Sequence, residues 1–116
     1  MSELPFVQVD VVLELVAEAV RLNLAGLDVE YKDGYEEVCA MFGATGFGIA
    51  RFESSSAEGR SLRKGMYAIR KKPRIVEIAG QAYTIRSKVY NSFGEDAFRV
   101  RIKKMHQQTA GAGSVK

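Results

Sequence analysis

The first apolar segment of the chain has the periodicity of a helix but an unusually narrow polar face. With Asp10 as the N-cap and Gly26 just beyond the C-terminal end, the pattern predicts a helix over about residues 10–25. Glu14 and Glu18 lie on one narrow stripe, and most other positions are Val, Leu or Ala. A surface helix normally has a broader polar face, so we expect this helix to be buried on more than one side.

After Gly26 the pattern changes to the alternation of apolar and polar residues that is typical of β-strands. Asp33-Gly34 and Ala79-Gly80 are each flanked by such stretches and predict tight hairpin turns. The predicted strands are residues 27–31, 35–42, 47–53, 66–71, 74–78, 81–89 and 96–103.

Two segments show neither the helical nor the strand periodicity. Residues 54–65 are rich in Ser, Gly and charged side chains and predict a long polar loop, and residues 106–116 predict a flexible C-terminal tail. The element order predicts an α+β, mainly β fold: an N-terminal helix followed by a small antiparallel β-barrel or sandwich. At 116 residues we expect a single domain, with the barrel over about residues 27–104.

Charge is sorted along the chain. Residues 1–58 contain 11 acids and three bases, whereas residues 59–116 contain 14 bases and three acids. Such asymmetry indicates either a nucleic-acid surface or a charge-complementary neighbour. The N-terminus has no basic stretch before its apolar run, and that run is short and interrupted by charges. We therefore expect neither a signal peptide nor a membrane span.

The sequence contains few residue patterns of the kinds that catalyse reactions. The single histidine, His106, lies beside the predicted tail, and the single cysteine, Cys39, has no histidine placed to activate it. Cys39 also alternates with Val38 and Ala40, which places it on the opposite face of its strand. The glycine order of residues 43–48 is the reverse of a dinucleotide-binding fingerprint and predicts a turn. We predict no enzymatic activity, no cofactor and no metal site.

The last two predicted strands carry patterned positive charge. Arg99, Arg101 and Lys103 alternate with apolar residues, so one face of that strand is cationic. If the two strands pair, like charges lie close together and require an anionic neighbour, whether DNA, RNA or the acids of another protein. Tyr83 and Phe98 fall on the core face, which disfavours base stacking and favours a protein neighbour.

Three stretches resemble one known family. They are a strand ending in Met41-Phe42 that is followed by a second strand, the segment IVEIAGQAYTI at residues 75–85, and a final strand after an acidic turn. This arrangement resembles the small head–tail joining proteins of tailed bacteriophages, of the head-completion or stopper, lambda tail-attachment-like type. The similarity spans about residues 27–103.

The resemblance implies a non-enzymatic structural protein of the phage neck. Copies would form a ring between the portal or adaptor protein and the tail or tail-terminator protein, in the virion and, during assembly, in the host cytoplasm. The ring would help to retain packaged DNA, which could contact the wall of its central channel. The ring would also dock the tail. We predict no membrane partner. The predicted interface residues are Glu14, Glu18, Glu36, Glu37, Arg70, Lys71, Lys72, Arg74, Arg99 and Arg101. In the predicted loop, Ser54, Arg60, Arg63 and Lys64 would contact the channel or a partner.

Two other functions fit the sequence. The first alternative is a small basic β-barrel that binds nucleic acid or regulates another protein, and the second is an inhibitor or toxin-type protein that acts by binding an enzyme. The sequence leaves open the number of subunits in a ring, its position in the neck, and whether the basic face contacts DNA or protein.

Overall fold

The structure of residues 10–106, a computed structural model, contains two helices and one six-stranded sheet. In chain order the elements are α1 (Val11–Arg21), β1 (Gly26–Lys32), β2 (Tyr35–Phe42), β3 (Thr45–Glu53), α2 (Ala57–Lys71), β4 (Arg74–Ile78), β5 (Gln81–Ser92) and β6 (Glu95–Lys104). The order of one helix and three strands therefore occurs twice. The predicted tail, apart from His106, lies outside the described residues.

All neighbouring strands of the sheet are antiparallel, in the order β3-β2-β1-β6-β5-β4. The two three-stranded halves meet where β1 pairs with β6. The α+β, mainly β fold class with an N-terminal helix is thus confirmed. The sheet does not close on itself, so the expected barrel or sandwich takes the form of one open sheet with β3 and β4 at its edges.

Both helices contribute buried side chains to one core on the same face of the sheet. Alternate strand residues point into this core, because successive side chains of a strand lie on opposite faces. Leu27 and Val29 of β1 lie opposite Val100 and Phe98 of β6, and all four are at most 2% exposed. We call this side of the sheet the helix face and the other side the open face.

Helix α1 begins as predicted and ends earlier. The Asp10 carboxylate accepts a hydrogen bond from the backbone N–H of Leu13 at 3.1 Å, which is N-capping geometry. Asn23 has a φ of +63°, and the Leu24 N–H donates to the carbonyl of Ala19 at 2.9 Å, so the helix stops at Arg21 rather than near residue 25. Its apolar positions are covered by the sheet and by α2 of the same chain.

The predicted long loop at residues 54–65 and the predicted strand at residues 66–71 are wrong, because Ala57–Lys71 is one helix, α2. Ser56 is its N-cap and accepts a hydrogen bond from the Gly59 N–H at 3.0 Å. Leu62, Met66 and Ile69 follow helical spacing and are at most 4% exposed.

Two glycines inside α2 gave the misleading loop signal, and their role is close packing. A Cβ added to Gly59 would overlap with the backbone carbonyl oxygen of Glu53. A Cβ added to Gly65 would lie 2.7 Å from Cγ2 of Val12, so α1 and α2 approach each other at this glycine. The glycines therefore mark contacts between elements, although the same residues commonly mark breaks in a helix.

This packing predicts the effect of adding one methyl group. Alanine normally favours a helix over glycine by about 1 kcal/mol, yet we expect Gly59→Ala to destabilise the fold by about 1–3 kcal/mol, because the Glu53 carbonyl must move. Gly48→Ala in β3 is the matched control, since no atom lies within 4 Å of its added Cβ. Urea unfolding of both variants tests this, and equal midpoints for G59A and the unsubstituted protein would contradict the packing role.

Candidate interface on the open face of the sheet

Five cationic side chains lie together on the open face of β5 and β6. Arg86 is directly opposite Arg101, Lys88 is opposite Arg99, and Thr84 is opposite Lys103. The like charges are therefore adjacent, as the alternation predicted. We call Arg86, Lys88, Arg99, Arg101 and Lys103 the cationic cluster; all five are exposed.

Directly opposed like charges destabilise a pair of strands, although water screens much of the repulsion at an exposed surface. Within residues 10–106, Arg99 is the one member of the cluster that forms an ion pair, with Nε 3.6 Å from Oδ1 of Asp28. Its guanidinium also lies 5.2 Å from the centre of the Tyr90 ring. The cluster therefore presents an excess of positive charge that an anionic partner would neutralise.

An acidic region lies beside the cluster on the same face. The Tyr90 hydroxyl lies 2.9 Å from both carboxylate oxygens of Asp28 and 3.1 Å from Oε2 of Glu30, and the Ser92 hydroxyl donates to Glu30 at 3.1 Å. Burial, together with these carboxylates, raises the pKa of Tyr90 well above its usual value, so the phenol keeps its proton to a higher pH than a free tyrosine does. Glu37 of β2 extends the acidic region and pairs with Arg51 at 3.4 Å.

A shallow groove of about 490 Å³ lies next to the cationic cluster, where β1 begins. Gly26, Met41, Arg99, Arg101 and Lys103 are among the residues that line it. Since the groove is an extension of an open surface, it suits an extended contact with a macromolecule better than enclosure of a small molecule.

Cys39 is half-buried on the opposite side of its strand from the buried Val38 and Ala40, as predicted. Burial raises the pKa of its thiol, and the nearby carboxylates of Asp28 and Glu37 act in the same direction. The thiolate is consequently disfavoured at neutral pH, which weakens Cys39 as a nucleophile. Among residues 10–106 there is no group of three or more His, Cys, Asp or Glu side chains that could hold a metal ion.

The predicted interface role of Glu36 is wrong, because this side chain is 1% exposed on the helix face. Ser54 donates its hydroxyl to Oε2 of Glu36 at 2.6 Å, and Arg63 of α2 contacts Oε1 at 3.3 Å. The predicted loop residues Ser54 and Arg63 thus stabilise a buried carboxylate. The sequence contained a signal for this burial, since Glu36 precedes the buried Val38 and Ala40 in the same alternation.

Arg63 connects this carboxylate to the other half of the sheet. It contacts the Tyr67 hydroxyl at 3.3 Å, and that hydroxyl donates to Asp96 at the start of β6. The Tyr67 ring packs edge-on against Phe98 with centroids 4.9 Å apart. Helix α2 is therefore held to both halves of the sheet by a polar network that sequence reasoning missed.

Arg74 also has a partner in its own chain. Its guanidinium forms an ion pair with the carboxylate of Asp10, the residue that caps α1. The hydrogen bond from Arg74 holds the pKa of Asp10 below its usual value, against the effect of burial. Arg74 therefore connects the edge strand β4 to the start of α1.

The other predicted residues are divided between the two sides of the sheet. Glu37, Arg99 and Arg101 lie on the open face. Glu14 is exposed on α1, where Glu18 pairs with Arg21. The remaining bases are exposed on α2 or just after it: Arg60, Lys64, Arg70, Lys71 and Lys72. The structure thus does not bring the predicted interface residues into one patch.

No protein-family model matches this chain, and no curated protein matches it. Over residues 10–106, neither helix has the length and apolar character needed to cross a membrane.

The buried carboxylate predicts a non-additive pair of substitutions. Arg63→Met should destabilise the fold by up to about 3 kcal/mol, because it leaves the Glu36 charge buried with Ser54 alone. Adding Glu36→Met removes that charge. The double variant should therefore lose less unfolding free energy than the two single variants lose together. Urea unfolding of the four proteins measures the coupling, and strict additivity would contradict the ion pair.

The Asp10–Arg74 pair predicts a specific pH dependence. A carboxyl with a lowered folded-state pKa contributes stability above the unfolded value of about 3.9, and that stability is lost as the pH falls through the folded value. Arg74→Gln should raise the pKa of Asp10 and make the free energy of unfolding less sensitive to pH in this acidic range. NMR titration of the Asp10 carboxyl tests this, with Lys72→Gln as a neighbouring control; an unchanged pKa in R74Q would refute the assignment.

Proposed function

We propose that this chain is a non-enzymatic structural subunit that assembles head to tail into a ring in the neck of a tailed bacteriophage. The observation that carries the proposal is the division of charge between the two halves of the sheet. Residues 26–53, which form β1, β2 and β3, contain six acids, of which Glu36 is buried, and two bases, whereas residues 74–104, which form β4, β5 and β6, contain seven bases and three acids.

Opposite charge on opposite sides of one subunit favours contact between unlike surfaces of neighbouring copies. Such heterologous contacts close into a ring when the rotation between copies permits. The exposed bases Arg70, Lys71 and Lys72 immediately precede β4 and add to the basic side. A single exposed ion pair contributes only about 0.2–1 kcal/mol, so the same contacts must recur at every boundary of the ring to be effective.

The place of this ring follows from the resemblance to head–tail joining proteins. It lies between the portal or its adaptor and the tail or its terminator, where it retains packaged DNA and docks the tail. The chain then belongs to the virion, and to the host cytoplasm while particles assemble.

The cationic cluster favours nucleic-acid binding as a second candidate function. Its five side chains lie on two adjacent strands and present several N–H donors to the solvent. Phosphate groups bind such clusters through charge neutralisation that depends steeply on salt concentration. Against this function, Tyr83 is partly buried against the core, Phe98 is fully buried, and Tyr90 donates to carboxylates, so these aromatic rings do not offer free stacking platforms.

The proposed ring predicts salt-dependent self-association. Sedimentation velocity should show species larger than a dimer at low ionic strength, and the association should weaken as salt screens the charges. Arg86→Glu with Arg101→Glu should weaken it further by reducing the positive charge of the basic half. The exposed bases Arg60 and Lys64 lie on α2 and outside the basic half of the sheet, so R60E/K64E makes the same change in charge and, as the matched control, should weaken association less.

A protein that remains monomeric at all salt and protein concentrations would overturn the ring proposal. If that monomer also binds duplex DNA, and its affinity falls steeply with salt, the second candidate is correct. The slope of log affinity against log salt concentration should then be roughly −0.9 for each phosphate contacted. Assembly of the chain on a purified portal ring would support the neck position.

A further inference from the structure

We propose that the outer edge of β3 in one copy pairs with the outer edge of β4 in the next, so that the sheet continues across the subunit boundary. The inference rests on the proposed function and specifies the contact through which neighbouring subunits meet. Within residues 10–106 both outer edges are unpaired, because β3 and β4 are the terminal strands of the sheet. An edge of free N–H and C=O groups is a template for pairing with another strand.

Strand β4 is short and carries the charged Arg74 and Glu77, as protected edge strands do, but it also exposes an apolar side chain. Its five residues, RIVEI, are mostly apolar, and Ile75 is 63% exposed on the open face. Edge strands normally avoid such residues or cover them, because they promote pairing with other chains. The exposed, β-branched Ile75 therefore favours further strand pairing at this edge.

The strand directions allow a continuous antiparallel sheet. Neighbours in the order β3-β2-β1-β6-β5-β4 are all antiparallel, so β3 and β4 run in opposite directions at the two ends of the sheet. A second copy placed beside the first in the plane of the sheet brings its β4 antiparallel to β3. The new ladder then has the same geometry as the five ladders within the subunit.

The backbone groups that face outward are fixed by the hairpins. In β4, the two-residue turn at Ala79-Gly80 makes Ile78 and Gln81 a hydrogen-bonded pair, and strict alternation directs the N–H and C=O groups of Ile75 and Glu77 to the free edge.

The same alternation applies to β3. The Ser54 N–H donates inward to the Gly34 carbonyl at 2.9 Å. The groups of Glu53 and Arg51 therefore face the other edge of the sheet.

One register of pairing matches both the outward backbone groups and the charges of the two edges. Pairing Arg51 with Glu77 of the next copy, and Glu53 with its Ile75, matches outward groups with outward groups and places opposite charges together. A shift of two residues in one direction places Glu53 opposite Glu77, which are like charges. The opposite shift places Glu53 opposite Pro73, which has no N–H to donate.

The side chains fit this register best on the helix face, whereas on the open face the pair Arg51–Glu77 is complementary and Ile75 lies opposite Glu53. On the helix face it places Phe52 opposite Val76 and Ala50 opposite Ile78, so apolar residues meet apolar residues.

On the open face, Arg51 lies 3.4 Å from Glu37 and 3.8 Å from the centre of the Tyr35 ring, yet its side chain is 55% exposed. With five N–H donors, Arg51 can bind Glu77 of the next copy while keeping Glu37.

Three substitutions test the contact by sedimentation velocity. Ile75→Pro removes an outward N–H without removing a hydrogen bond to β5, and should abolish association while leaving the monomer folded. Arg51→Glu and Glu77→Arg should each weaken association by about two- to fivefold. The double variant R51E/E77R should recover it, because the opposite charges are exchanged. Glu58→Arg, an exposed charge reversal on α2, is the control.

The outcomes separate this inference from the ring itself. If the unsubstituted protein associates but I75P and the charge reversals leave association unchanged, the edge pairing is wrong and the ring proposal stands. If I75P prevents association while R51E has no effect, β4 pairs with β4 of a second copy or with another protein, and the inference is overturned. If the unsubstituted protein does not associate, the ring proposal fails first.

Discussion

The architecture depends on α2, because the chain leaves the sheet at one edge and must re-enter it at the other. Strand β3 ends at one side, β4 begins at the opposite side, and α2 is the connection between them. The helix must therefore cross the face of the sheet and bury its apolar side there. Gly59 and Gly65 permit the required close approach, and Leu62, Met66 and Ile69 provide the buried surface.

The crossing of α2 determines the character of both faces. With α1 and α2 on one side, the helix face becomes the core, and the deeply buried Glu36 on that face is satisfied by Ser54 and Arg63. The other side has no helix in the described residues, so its alternate strand positions are free to carry charge. The cationic cluster and the acidic region around Tyr90 thus follow from covering the sheet on one side only.

Features set by neighbouring residues were predictable from the sequence. Asp33-Gly34 and Ala79-Gly80 identified two hairpins, and alternation placed Arg99 and Arg101 on the exposed face of their strand. Residues 57–71 were mispredicted, because glycines that permit packing have the same local appearance as glycines that end a helix. Glu36 was misassigned because a carboxylate is normally exposed, and its burial depends on Arg63, which is 27 residues away.

The sequence by itself determined the fold class, the start of α1, most strand positions, and the separation of acidic from basic residues along the chain. These depend on periodicity, capping and turn chemistry, which act over a few residues. The tertiary structure alone decided the strand order, the pairing of β1 with β6, and which strands form the edges of the sheet. Those features depend on contacts between distant residues, and they convert a charge division along the sequence into a division between the two halves of one sheet.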